Sequence, residues 1–103
     1  MVTQLAISNV TAVNNLTTTP QFVIAVNPSR NSLTFHNPGA AQIYVFPEFV
    51  LQNGKSVPLT PSLSALGGGF ALPAGATLFL GGVAAKQRWQ ALGNSNALTI
   101  TED

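Results

Sequence analysis

Apolar residues along this chain recur at alternate positions, and turn-forming residues interrupt them at short intervals. Side chains on a β-strand point alternately to opposite faces, so this period predicts short, half-buried strands. Thr3–Val13 reads as a strand with Leu5 and Ile7 on one side, followed by a polar connector over Asn14–Pro20. Gln21–Val26 is rich in β-branched residues and ends at the turn Asn27-Pro28-Ser29. Ser32–His36 places Leu33 and Phe35 on one face. After the turn Asn37-Pro38-Gly39, Gln42–Phe46 places Ile43 and Val45 inward. Further on, Phe70–Leu72 leads through Pro73-Ala74-Gly75 to Thr77–Leu80, where Leu78 and Leu80 share a side. Gly81-Gly82 breaks that run, Gln87–Leu92 carries Trp89 and Ala91, and Gly93–Asn96 turns again. Leu98–Thr101 closes the chain with Leu98 and Ile100 inward.

The middle is less regular. Phe49-Val50-Leu51 and Ser56-Val57-Pro58-Leu59 flank Asn53-Gly54, a dipeptide suited to a two-residue hairpin turn with both φ values positive. Pro58 lacks an N–H, which assigns its strand to a sheet edge. Thr60–Gly67 reads as one short helical turn, with Thr60 as cap, Pro61 as first position and Gly67 as terminator. Gly67-Gly68-Gly69 reads as a flexible joint. No stretch holds a helical period over about twelve residues.

About seven to nine short strands separated by tight turns predict an all-β fold, an antiparallel β-sandwich of jelly-roll-like form. An immunoglobulin-like sandwich ranks second, because the chain has no cysteine for the Cys…Trp…Cys core. At 103 residues there is room for one domain. Residues 1–19 form either an N-terminal arm or a first strand, and residues 20–103 form the sandwich.

Composition changes the picture through charge. Only 7% of the residues are charged, where ordinary soluble domains carry about 25%. The acids are Glu48, Glu102 and Asp103, and the bases are Arg30, Lys55, Lys86 and Arg88. A net charge of +1 gives little steering toward nucleic acid or an anionic membrane. Mean hydropathy is +0.30, yet no apolar run approaches the length of a membrane span, and Met1–Asn15 lacks the pattern of a signal peptide. A folded chain with so few charges is prone to associate.

Catalytic and metal chemistries find few residues to use. Glycosidase chemistry needs two facing carboxylates, but only Glu48 lies inside the chain, and Glu102 and Asp103 sit at a terminus expected to fray. A triad around His36, the sole histidine, could be completed only by Glu48, so His36 reads as a half-buried strand residue. One histidine and no cysteine leave no zinc or iron site, and no cofactor is expected. Gly54-Lys55-Ser56 lacks the earlier glycine and the following helix of a phosphate-binding loop. The glycosylation sequons at Asn9 and Asn15 read as chance in a chain rich in Asn and Thr. Lys86, Arg88 and Trp89 form the one basic–aromatic cluster. Alternation puts Trp89 in the core and leaves Lys86 and Arg88 together on the outer face, a candidate contact patch for an acidic or phosphate partner.

Three segments carry a resemblance: NPSRNSLTFHNPGAAQIYVF (Asn27–Phe46), GGGFALPAGATLFLGGV (Gly67–Val83) and RWQALGNSNALTITED (Arg88–Asp103). Their order resembles that in small virion proteins of tailed bacteriophages, of the capsid decoration, cement or head-fibre type. Met1–Val26 has no counterpart in that resemblance, and Pro47–Leu66 is longer than the usual connection. The resemblance implies a non-enzymatic β-sandwich on the virion, made in the host cytoplasm and located on the capsid surface. It implies a homo-oligomer, with a trimer favoured, bound to the major capsid protein lattice without direct contact to nucleic acid or membrane. Residues 1–19 would then be an arm pairing with a neighbouring subunit's sheet edge. The alternative is a tail or head-fibre component that binds a receptor or carbohydrate, which would need Tyr44 or Trp89 exposed in a groove.

Overall fold

The computed structural model describes residues 9–61, 68–94 and 96–103. In chain order the first strands are β1 (Asn9–Leu16), β2 (Gln21–Ile24), β3 (Ser32–His36) and β4 (Ile43–Pro47). A hairpin of β5 (Phe49–Gln52) and β6 (Lys55–Pro58) follows, then β7 (Phe70–Leu72) and β8 (Thr77–Gly81). One helical turn, α1 (Gly82–Lys86), precedes β9 (Trp89–Leu92) and β10 (Asn96–Glu102). Two four-stranded antiparallel sheets, ordered β1-β10-β3-β8 and β2-β9-β4-β7, pack together as an all-β sandwich, with the β5–β6 hairpin as a separate pair.

The core sits between the sheets where the alternating pattern places it. Leu33, Phe35, Leu98 and Ile100 from one sheet meet Ile43, Val45, Leu72, Trp89 and Ala91 from the other, all buried. The Phe35 and Trp89 rings are 5.3 Å apart and tilted, and each such side chain contributes roughly 1.5–3 kcal/mol by leaving water. The turns follow their residue chemistry. Asn53 and Gly54 take φ values of 52° and 77°, which let β5 and β6 pair in tight register from Gln52↔Lys55 to Phe49↔Pro58. Ser29 N–H donates to Asn27 Oδ1 and Arg30 N–H to the Asn27 carbonyl, closing the predicted turn there.

Five sequence expectations are corrected. The Asn14–Pro20 connector is strand as far as Leu16, whose side chain is fully buried beyond a bulge that shifts the register after Val13. β1 pairs with the chain's own β10 and the Thr17 carbonyl accepts from Gly93, so residues 9–17 belong to the sandwich and not to a detachable arm. Residues 1–8 lie outside the described residues, as do 62–67, where most of the expected helical turn falls. Ten strands are described, one more than the upper expectation. The C-terminus does not fray: Asp103 exchanges backbone hydrogen bonds with Ser32 and also accepts from Asn31. Nor is the glycine run a loose joint throughout. A Cβ on Gly69 would lie 2.2 Å from the Phe46 ring, so Gly69 is there to let that buried ring pass under the backbone.

The two ends of β3 are held by buried polar side chains. At one end Asn37, fully buried, donates from Nδ2 to the Ala41 and Leu72 carbonyls and accepts from Gly39 N–H. At the other end Arg30 is 3% exposed. Its Nε donates to Glu102 at 2.9 Å, Nη1 to the Ala85 and Gln87 carbonyls, and Nη2 to the Ala25 carbonyl. Arg30 also explains α1, which has no side-chain cap at its start. Its late carbonyls find donors in Arg30 and in Trp89 Nε1, which donates to Ala84 at 2.8 Å.

Removing Leu16 with Leu16→Ala is expected to cost about 2–5 kcal/mol in urea denaturation, because it opens a cavity in the core. A loss near zero would mean that β1 is dispensable. Arg30→Ala is expected to cost about 3–5 kcal/mol, since it leaves Glu102 and three carbonyls without their donor. An unchanged denaturation midpoint would contradict this role.

Candidate functional site

The two members of the expected contact patch, Lys86 and Arg88, have different partners within the chain. Lys86 belongs to the last turn of α1 and not to a strand, and its Nζ donates to the Arg30 carbonyl. Arg88 lies between α1 and β9, with its guanidinium 3.6 Å over the Phe22 ring centroid and Nη2 paired with Glu48. The hydrogen bond that Arg88 donates to Glu48 holds its pKa above the ordinary value, against some desolvation, so Arg88 stays cationic. Both basic heads therefore address partners within the chain. Alternation failed here because the segment from Gly82 to Lys86 coils instead of extending.

The remaining candidates are placed as follows. Glu48 is taken up by Arg88, and its backbone N–H donates to the Arg88 carbonyl at 3.0 Å. His36 is half-buried and its Nδ1 lies 2.9 Å from Thr77 Oγ1 across the β3–β8 pair. Glu102, expected to be solvated, is 17% exposed at its side chain and bound to Arg30. Among the described residues no three His, Cys, Asp or Glu gather in one place. No helix among them is long and apolar enough to cross a membrane.

The feature that sequence reasoning missed is a groove of about 580 Å³ between the β5–β6 hairpin, β8 and α1. Phe49 and Leu51 on the hairpin, Phe70 on β7, Leu80 on β8 and Val83 on α1 line it, with Trp89 beneath. Among the described residues no charged side chain lines it, and Ser56 and Gln87 are its polar members. Gln87 Oε1 accepts from Phe49 N–H, which ties the hairpin to the α1–β9 link. Such a surface excludes water and binds apolar groups, but it holds no group to move a proton at neutral pH. The sequence carried only its pieces: Phe49, Leu51, Phe70 and Val83 line it and are large, apolar and exposed.

The aromatic residues that a sugar site would use are placed elsewhere. Trp89 is 1% exposed, and Tyr44 is half-buried with its hydroxyl accepting from Gln42 Nε2. The exposed aromatics are phenylalanines, which have no hydrogen-bonding group to orient a sugar. Comparison with family models, with curated proteins and with solved structures found no match to this chain.

Trp89→Phe is expected to lower stability by about 1–3 kcal/mol, because the half-buried Ala84 carbonyl loses its donor. Chemical denaturation measures this directly. No change would mean that the carbonyl finds another donor.

Proposed function

We propose that this chain is a non-enzymatic structural protein of a tailed-bacteriophage virion: a capsid decoration or cement protein that oligomerises and binds the major capsid protein lattice. The observation that carries this reading is the distribution of polarity. Arg30 with Glu102 and Arg88 with Glu48 are paired within the chain, while Val10, Val26, Leu51, Phe79 and Val83 are each at least 65% exposed. Apolar side chains exposed around an uncharged groove suit a surface covered by other protein. Contacts of that kind are screened little by salt, as binding to a lattice through neutral surfaces requires.

Within this reading the sandwich is a jelly roll. Strand orders β1-β10-β3-β8 and β2-β9-β4-β7 support it, because successive strands alternate between the sheets on either side of the β4–β7 pair. The β5–β6 hairpin is then an insertion between β4 and β7, in the part of the chain where the phage resemblance is interrupted.

Purified particles of the phage that encodes this chain are expected to carry hundreds of copies, retained through a wash in molar salt. A handful of copies would move the protein to the tail or a fibre tip. Absence from the particle would overturn the virion reading.

A further inference from the structure

The sandwich has four edge strands, and three of them carry a feature that discourages further pairing. β1 and β2 have register shifts, and β7 is three residues long. Bulges and short length are recognised means of blunting an edge. The fourth, β8, has neither. Among the described residues it pairs with β3 alone, in unbroken register from Ser32↔Gly81 to His36↔Thr77. Its five residues, Thr-Leu-Phe-Leu-Gly, include no charge and no proline. An unguarded, flat, apolar edge is a template for another strand.

The β8 sequence also indicates which strand. It is close to symmetric about Phe79, so an antiparallel copy with Phe79 opposite Phe79 puts Leu78 opposite Leu80. On the outer face the two phenylalanines, each 71% exposed in the single chain, then cover one another. On the inner face the half-buried Leu78 and Leu80 continue the apolar row, and Leu80 also lines the groove. With no charge on the strand, identical copies meet without like-charge repulsion.

We infer that two copies of this chain pair through β8, antiparallel about a twofold axis at Phe79, joining their β1-β10-β3-β8 sheets into one continuous sheet. This is a closed, self-complementary contact, and it takes the place of the trimer expected from the resemblance. It goes beyond the virion reading and does not depend on it. A monomer in solution would overturn this contact and leave the virion location standing, and absence from the particle would overturn the virion reading and leave this contact standing.

Analytical ultracentrifugation of the full chain over a concentration series tests it, and a monomer–dimer equilibrium is expected. Phe79→Lys and Phe79→Glu should each weaken self-association by about tenfold or more, by placing like charges across the axis. Mixing the two variants should restore a dimer containing one of each. In the unsubstituted protein, amide hydrogen exchange within β8 should slow as concentration rises, a readout that needs no variant to fold. A monomer at every concentration, a dimer indifferent to both substitutions, or β8 exchange independent of concentration would each overturn the inference.

Discussion

The guanidinium of Arg30 ties together three parts of the chain at one end of the sandwich. It is buried, and it donates to the Glu102 carboxylate on β10, to two carbonyls of the α1–β9 segment and to the Ala25 carbonyl after β2. Burying a cation is costly unless every donor finds an acceptor in good geometry. The planar fork of arginine reaches several acceptors at once, which a lysine ammonium does not do. Its bonds reach α1, the C-terminal strand and the chain between β2 and β3, alongside the backbone bonds of Asn27 to Lys86 and of Asp103 to Ser32. Asn37 plays the matching part at the other end of β3, with amide hydrogen bonds in place of charge.

This use of charge bears on what the surface can do. Four of the chain's charged side chains are joined in two internal ion pairs, and Lys86 is turned to a backbone carbonyl. Apart from the exposed Lys55 and Asp103, the surface is left mostly to neutral-polar and apolar groups, with large apolar side chains around the hairpin, β8 and α1. Hydrophobic contact is non-directional and scales with area, whereas a strand edge has direction and register. A protein that offers both side by side is suited to packing against other protein surfaces, which is the physical basis of the assembly proposed above.

Much of the sandwich was legible because burial and strand geometry share the same period. Leu33, Phe35, Ile43, Val45, Leu98 and Ile100 fall inward as alternation requires, and Asn53-Gly54 turns as its tolerance of positive φ allows. Leu16 was hidden by the polar pair before it, because a bulge breaks the alternation at that point. Phe46 was hidden because it is buried on the face that alternation assigns to solvent, beneath Gly69. α1 was hidden because five residues are too few to display a helical period. The groove was not legible either, since its walls come from the hairpin, β7, β8 and α1, which are distant along the chain.

Local chemistry by itself determined the β class, the positions of most strands and turns, the buried place of Trp89 and the scarcity of charge. These depend on side-chain alternation and on the φ preferences of Asn, Gly and Pro, which act over a few residues. Tertiary structure alone decided which strands are neighbours, where the few charges are used, and which edge is left open. Arg30 and Glu102 are 72 residues apart in sequence and 2.9 Å apart in space. No pattern within a strand encodes that meeting, because it arises only when both sheets and the helical turn have closed around it.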